Sequence, residues 1–186
     1  VYKGFREMQQ MGWTDKIPAF APIQTEGCAP MVDSWKKGLE KAEPVLNPKT
    51  RIETLATGDP GRAYEFLRAY VNNTNGVFES VSDEDAHRAM NVLAKMEGIS
   101  AEPAAGVAFA GLFKLIRAGV IKPSDTVVVN CTGHTLPAEP IVLGDNWSRD
   151  VKFPSTETPQ EGLLSALTEV APERFPRIVI VEDTTE

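Results

Sequence analysis

The sequence predicts an α/β protein with a mostly parallel sheet and helices on both faces of that sheet. Segments of strand character alternate with helical segments along the chain, which is typical of βαβ units with right-handed crossovers. Residues Thr126–Cys131 form a β-branched run of the kind found in strands that are buried on both faces. The helix that follows Ala104 is apolar on nearly every side, so we expect it at the centre of the fold.

The first half of the chain is predicted to hold three helices and two strands. In the opening helix, Val1, Phe5 and Met8 fall near one face, and Gly12 provides a C-terminal stop. No capping residue precedes this helix, so we expect the chain to be a piece excised from a longer polypeptide; the alternative is a processed terminus with a frayed helix. The other elements predicted here are a strand at 19–24, a helix at 30–39, a helix at 63–71 and a strand at 77–81.

The second half begins with a helix that has local signals at both ends. Ser82 can cap its start, the acids at 83–85 favour the positive end of the helix dipole, and Gly98 ends it. Its apolar stripe is formed by Ala86, Ala89, Met90, Leu93 and Met96. A short strand at 99–101 is predicted to lead into the central helix, which Gly119 closes.

The composition changes in the last part of the chain. Residues 136–159 are rich in Pro, Asp, Ser and Thr and are predicted to wrap the surface. A short helix at 161–170 and a strand at 177–181 complete the predicted elements. We therefore expect a main domain at 1–140 and a C-terminal extension at 141–186 that packs on it.

Composition and charge exclude several classes of function. The chain has 186 residues with 26 acidic and 19 basic side chains, and a net charge of −7 argues against nucleic acid as a partner. Cys28 and Cys131 are too few for a disulfide framework or a zinc site, which fits a reducing cytosol. The longest apolar run, 104–116, contains Lys114 and is too short to span a membrane, and no secretory signal is present. We expect a soluble, cytoplasmic protein with neither a nucleic acid nor a membrane as partner.

The strongest candidate for a ligand site follows the strand at 126–131. Ligands of open α/β sheets bind at the carboxyl ends of parallel strands, and Thr132 and Gly133 lie at that end. Gly133 lets the backbone approach a ligand closely, and Thr132 offers a neutral hydroxyl. The alternative is a turn that is selected only for its backbone conformation.

Other candidates are weaker. Glu102 could hold a cofactor or a partner loop, but a carboxylate at a helix start more commonly serves the helix dipole. Residues 57–61 resemble an anion cradle, although Asp59 opposes an anion and a plain turn is favoured. His134 has no paired serine or carboxylate and forms no triad. The residue types therefore predict no catalytic residue and no metal site.

Six short motifs follow one another along the chain. They are Lys3-Gly4-Phe5-Arg6-Glu7, Gln24-Thr25-Glu26-Gly27-Cys28-Ala29-Pro30, Glu53-Thr54-Leu55-Ala56-Thr57-Gly58, Val81-Ser82-Asp83, Ile99-Ser100-Ala101-Glu102-Pro103-Ala104 and Cys131-Thr132-Gly133-His134. In this order they resemble the threonine synthase family, which belongs to the pyridoxal-phosphate enzymes of the tryptophan-synthase β-subunit type. The resemblance runs in register from the first residue to about Pro140.

This resemblance implies a fold, a reaction and a cofactor. The fold would be half of the large domain of a fold-type II pyridoxal-phosphate enzyme, with residues 1–140 as a partial cofactor-binding domain. The complete parent enzyme would convert the phosphoester O-phosphohomoserine and water into threonine and phosphate, which makes it a lyase of amino-acid biosynthesis. Pyridoxal phosphate would be the cofactor of that parent.

The resemblance also implies which residues bind the cofactor. Thr132 matches the residue whose hydroxyl hydrogen-bonds the pyridine nitrogen, and a neutral hydroxyl does not enforce ring protonation as an aspartate would. Gly133 would let the ring lie flat on the strand end. Ala56, Thr57 and Gly58 match a segment that lines the active site near the cofactor.

Departures from the family pattern limit these expectations. The lysine that attaches the cofactor lies in a Ser-Phe-Lys-Asp-type motif of the family, and no lysine of this chain has that context. The Gly- and Asn-rich loop that binds the cofactor phosphate would precede Val1. Ala105 replaces the usual serine, and Thr135-Leu136-Pro137 replaces the usual Gly-Leu-Lys. A related enzyme such as cysteate synthase therefore stays an alternative.

Taken together, we expect the C-terminal portion of a threonine-synthase-like enzyme that is inactive alone and does not bind the cofactor covalently. The alternative is a non-catalytic α/β interaction module derived from such an enzyme. An incomplete α/β domain exposes apolar surface, so we expect self-association or a missing N-terminal half as partner.

Overall fold

The computed structural model describes residues 1–134 and the backbone of residues 177–182. The chain divides into two compact units, Val1–Ser80 and Val81–Glu186. The predicted boundary at residue 140, the predicted surface segment at 136–159 and the predicted helix at 161–170 lie outside the described residues.

The first unit contains the three predicted helices. They are α1 (Tyr2–Gln10), α2 (Pro30–Lys36) and α3 (Ala63–Asn73), with strand β1 (Ile23–Thr25) before α2 and a 3-10 turn (Glu53–Leu55) before α3. Strand β2 (Glu79–Val81) follows, and its last residue is the first residue of the second unit. Gly12 adopts a left-handed φ of +72°, as expected of a residue that ends a helix. The side-chain amide oxygen of Gln24 accepts hydrogen bonds from the N–H groups of Met31 and Val32 at 2.9 and 3.1 Å, and so it satisfies the first turn of α2.

The two strand segments of this unit run in parallel. Val77 N–H donates to Phe20 O at 3.1 Å, and Glu79 N–H donates to Pro22 O at 3.2 Å, so both partners advance along the chain in the same direction. Regular strand begins only at Ile23, later than the predicted residue 19. Pro22 has no N–H to donate, and this interrupts the ladder.

The core of the first unit consists of aromatic and small aliphatic side chains. Its fully buried members are Ala29, Val32, Tyr64, Val71 and Phe78. The Phe78 ring lies 5.7 Å from Trp35 and 6.0 Å from Tyr64, centroid to centroid. The Tyr64 hydroxyl donates a hydrogen bond to Leu39 O at 2.8 Å, which satisfies its polar end inside the core.

Where the structure describes it, the second unit contains two long helices and a parallel strand pair. They are α4 (Asp83–Glu97), α5 (Pro103–Arg117), β3 (Thr126–Cys131) and β4 (Arg177–Glu182). β3 and β4 pair in parallel, with Thr126 opposite Arg177, and the strand predicted at 177–181 is thereby confirmed. The predicted α/β class is confirmed as well.

The local signals of α4 are confirmed. The Ser82 hydroxyl accepts a hydrogen bond from Asp85 N–H at 3.1 Å, and Gly98 ends the helix in the left-handed region at φ +70°. The predicted apolar stripe is wrong at Met96, which is 37% exposed, and it missed the buried Val92. Met96 lies in the last turn of α4, just before Gly98.

Helix α5 lies at the centre of its unit, as its composition predicted. Nine of its fifteen residues are buried. It packs closely on α4 at Gly106, where an added Cβ would lie 2.7 Å from Ala86 O and 2.7 Å from Met90 Cγ. The strand predicted at 99–101 is wrong, because among the described residues this segment makes a single isolated antiparallel bridge, from Ala101 to His134.

Strand β3 has one buried and one exposed face. Val129 and Cys131 are buried, whereas Val128 is 58% exposed. The expectation that this strand is buried on both faces is therefore wrong for this chain. Successive side chains of a strand point to opposite faces, and α5 packs against β3 within the described residues.

Candidate functional site

The carboxyl end of β3 places Thr132 at an open position of the second unit. Cys131, the last residue of the strand, is only 1% exposed, and Thr132 follows it with an exposed side chain. In a parallel sheet this end of the strand is where ligands bind. Thr132 is therefore an exposed residue that directly follows the buried end of β3.

Gly133 is held against the start of helix α5. Glu102 N–H donates a hydrogen bond to Gly133 O at 3.0 Å, and Ala101 bridges His134 beside it. The Glu102 side chain, including Cδ and Oε1, occupies the space that a Cβ at position 133 would need. Gly133 does not lie among the residues with positive φ, so a larger residue here would be opposed by the Glu102 side chain and not by the backbone conformation.

Ala56, Thr57 and Gly58 lie in the first unit, directly after the 3-10 turn. Thr57 is exposed, and its two neighbours are half-buried. Gly58 O accepts a hydrogen bond from Val45 N–H at 2.9 Å, and an added Cβ at position 58 would collide with the Val45 carbonyl. The segment is thus held by backbone contact, while the Thr57 hydroxyl stays accessible.

A second backbone contact supports this part of the first unit. Lys49 N–H donates to Gly27 O at 2.8 Å, and the Thr25 and Thr50 hydroxyls lie 3.3 Å apart. The Thr50 hydroxyl also accepts a hydrogen bond from Ile52 N–H at 3.0 Å. Gly27 belongs to one of the six motifs, but nothing in the local sequence pointed to its partner.

The predicted site residues therefore fall into two groups. Thr132 and Gly133 lie together at the end of β3, beside Glu102. Ala56, Thr57 and Gly58 lie together in the first unit. Glu102, which the sequence favoured as a carboxylate serving its helix, makes no side-chain capping bond.

Two buried side chains of the first unit, a thiol and a phenol, have raised pKa values. Burial raises the pKa of the Cys28 thiol above its ordinary value of 9.0. Burial likewise raises the pKa of Tyr64 above 10.0, an effect that Arg68 partly opposes. Both groups therefore stay neutral near neutral pH, and Cys28 behaves as a small buried hydrophobe.

Neither a metal cluster nor a membrane-spanning helix is found in the described part of the chain. Residues 1–134 hold no group of three or more His, Cys, Asp or Glu side chains arranged to bind a metal ion. None of the helices among the described residues is long and apolar enough to cross a membrane.

Comparisons with known proteins identify relatives over most of the chain. The family described as pyridoxal-phosphate dependent enzyme matches residues 1–133. A threonine synthase of Methanosarcina acetivorans is 42% identical over 136 residues, which are 73% of this chain and 33% of the relative. A threonine synthase of Methanocaldococcus jannaschii is 35% identical over the same shares, and one of Mycobacterium bovis is 33% identical over 77% of this chain and 38% of the relative.

A solved structure of a T.th. threonine deaminase is similar with a TM-score of 0.45 and 19% identity, covering 55% of this chain and 35% of that one. The chain spans about a third of the length of the curated relatives that it matches. The resemblance that the six motifs predicted is confirmed by the family match.

Proposed function

Because the chain belongs to the pyridoxal-phosphate dependent enzyme family, we propose that it is part of the cofactor-binding domain of a threonine-synthase-like lyase. The whole protein would convert O-phosphohomoserine and water into threonine and phosphate. The similarity of residues 1–133 to this family, with threonine synthases as relatives, carries the proposal. The exposed Thr132 at the end of a parallel strand supports it.

The residues at the end of β3 fit the cofactor. Thr132 has the neutral hydroxyl that a pyridine nitrogen needs as a hydrogen-bond partner, and its side chain is exposed. When bound, pyridoxal phosphate supplies an electron sink for carbanion chemistry. Thr132 would donate a hydrogen bond to the ring nitrogen without forcing a proton onto it. Gly133 would leave room for the ring beside the strand. From the family resemblance, we also propose Ala56, Thr57 and Gly58 as cofactor-binding residues of the whole protein.

We propose further that these 186 residues bind the cofactor only weakly and are inactive alone. None of the chain's lysines lies in a Ser-Phe-Lys-Asp-type context. A covalent link needs an amine positioned as nucleophile. After mixing with pyridoxal phosphate and dialysis, we expect no remaining cofactor absorbance. A yellow complex that survives dialysis and is fixed by borohydride at one lysine would contradict this part of the proposal.

A chimera tests the function itself. Residues 1–134 of this chain would replace the aligned segment of the Methanosarcina acetivorans threonine synthase, and phosphate release from O-phosphohomoserine would be measured with that enzyme as control. We expect cofactor absorbance and phosphate release. A folded chimera without cofactor would contradict the cofactor-binding role, and a cofactor-loaded chimera that releases no phosphate would contradict the substrate.

We also propose that the isolated chain self-associates through apolar surface that a complete domain would cover. Val128 on the open face of β3 is the clearest example in the second unit. In this proposal the partner is a second copy or the missing N-terminal half of the domain.

A further inference from the structure

Glu102 occupies the capping position of α5 but does not cap it. Its backbone has the extended conformation of an N-cap residue, with φ −72° and ψ +163°, and Pro103 follows at the first helical position. Its side chain makes no capping hydrogen bond, whereas the Ser82 hydroxyl at the start of α4 accepts one from Asp85 N–H. The Glu102 side chain is directed elsewhere.

That side chain lies over the Cα of Gly133. Its Cγ, Cδ and Oε1 atoms fill the volume where any other residue at position 133 would carry its Cβ. The backbone reinforces the contact, because Glu102 N–H donates to Gly133 O at 3.0 Å and Ala101 bridges His134. One residue therefore contacts Gly133 through both its main chain and its side chain.

This contact lies next to Thr132 in the chain. Thr132 lies between Cys131, which is 1% exposed at the end of β3, and Gly133, which Glu102 holds. Holding the residues on both sides of Thr132 restricts the backbone conformations that it can adopt. We infer that Glu102 is a positioning residue, which orients the Thr132 hydroxyl through Gly133. The inference rests on the proposed function of Thr132, but the contact itself can be tested without the cofactor.

A double-mutant cycle in the 186-residue chain tests the contact. Gly133→Ala should push the flexible Glu102 side chain away from its place over Gly133, and the loss of that contact should lower the Tm by about 2–4 °C. In the Glu102→Ala background the added methyl has room, so the same Gly133→Ala change should shift the Tm by about 1 °C or less. With Glu102→Gln, which has the same shape, the loss of Tm caused by Gly133→Ala should return to its wild-type size. Equal losses from Gly133→Ala in all three backgrounds would overturn the inference.

A spectroscopic measurement separates positioning from a purely structural role. In Glu102→Ala, the backbone amide and methyl resonances of Thr132 should move or broaden, while the amide resonances of Val92 and Leu93 inside α4 stay in place. Glu102→Gln should restore the Thr132 resonances. Thr132 resonances that do not respond to Glu102→Ala would contradict the inference, whatever the chimera shows about cofactor and substrate. If the contact is present but the chimera binds no cofactor, the proposed function fails instead.

Discussion

At the scale of single residues, two predicted site glycines lie where neighbouring atoms, and not the backbone conformation, oppose a side chain. Neither Gly58 nor Gly133 has a positive φ. Each lies where a Cβ would meet another group, the Val45 carbonyl at Gly58 and the Glu102 side chain at Gly133. The sequence marked both positions through their motifs, but their partners are distant in the chain and leave no local signal. The contact between Glu102 and Gly133 could therefore be identified only from the structure.

The buried thiol and phenol of the first unit predict a loss of stability in alkali. Cys28 and Tyr64 are neutral when protonated, and burial raises the pKa of each in the folded state. The folded chain thus retains protons that the unfolded chain releases, and the free energy of unfolding should fall as pH rises above about 9. Below that pH both states hold these protons and the two groups contribute no pH dependence.

Urea unfolding between about pH 8 and pH 10.5 measures this effect. Cys28→Ala should reduce the fall in unfolding free energy over that range. Tyr64→Phe should reduce it further, although it also removes the hydrogen bond to Leu39 O. A wild-type chain whose unfolding free energy rises over the range, or a fall that neither variant reduces, would refute the assignment.

At the scale of elements, local signals predicted helices better than strands. Ser82 and Gly98 mark the start and end of α4 within one turn, and both were correct because capping is a local interaction. The strand predicted at 19–24 was shortened by Pro22, a signal present in the sequence. The strand predicted at 99–101 was wrong. The bridge that this segment makes is to His134, which is distant in the chain, so local sequence could not show how the segment pairs.

The contact between α4 and α5 gives a prediction at this scale. Gly106→Ala places a methyl 2.7 Å from the Ala86 carbonyl oxygen, a backbone atom that cannot move aside easily, and should cost about 1–3 kcal/mol. Gly4→Ala is the matched control, because Gly4 lies in helix α1 with nothing within 4 Å of an added Cβ. It should stabilise by about 0.5–1 kcal/mol. Chemical unfolding of both variants checks the pair, and a neutral Gly106→Ala would contradict the close packing.

At the scale of the whole molecule, the exposed face of β3 predicts association. Val128 is 58% exposed on a strand whose opposite face is buried. Sedimentation velocity should show a species larger than a monomer, and Val128→Lys should shift it toward the monomer because burying a charged side chain in a contact through this face is unfavourable. Val120→Lys, at another exposed valine beyond α5, is the control and should have little effect. A wild-type chain that sediments as a monomer would contradict the expectation.

The family and its cofactor could be predicted from the order of six motifs, and the family match over residues 1–133 confirms them. The roles of Thr132 and of Ala56–Gly58 stay predictions, because they concern a ligand whose position the chain alone does not define. The contact between Thr132 and the ring nitrogen is the central claim.

The most direct test of that claim is the ¹⁵N chemical shift of ring-labelled pyridoxal phosphate bound to the chimera described above. With Thr132 in place, the shift should be that of an unprotonated pyridine nitrogen, because a hydroxyl donates a hydrogen bond without transferring its proton. Thr132→Asp should move the ¹⁵N shift to the value of a protonated pyridine nitrogen. It should also slow phosphate release by about 10-fold or more, which corresponds to about 1.4 kcal/mol of transition-state free energy. Identical ¹⁵N shifts in the two proteins would contradict the account.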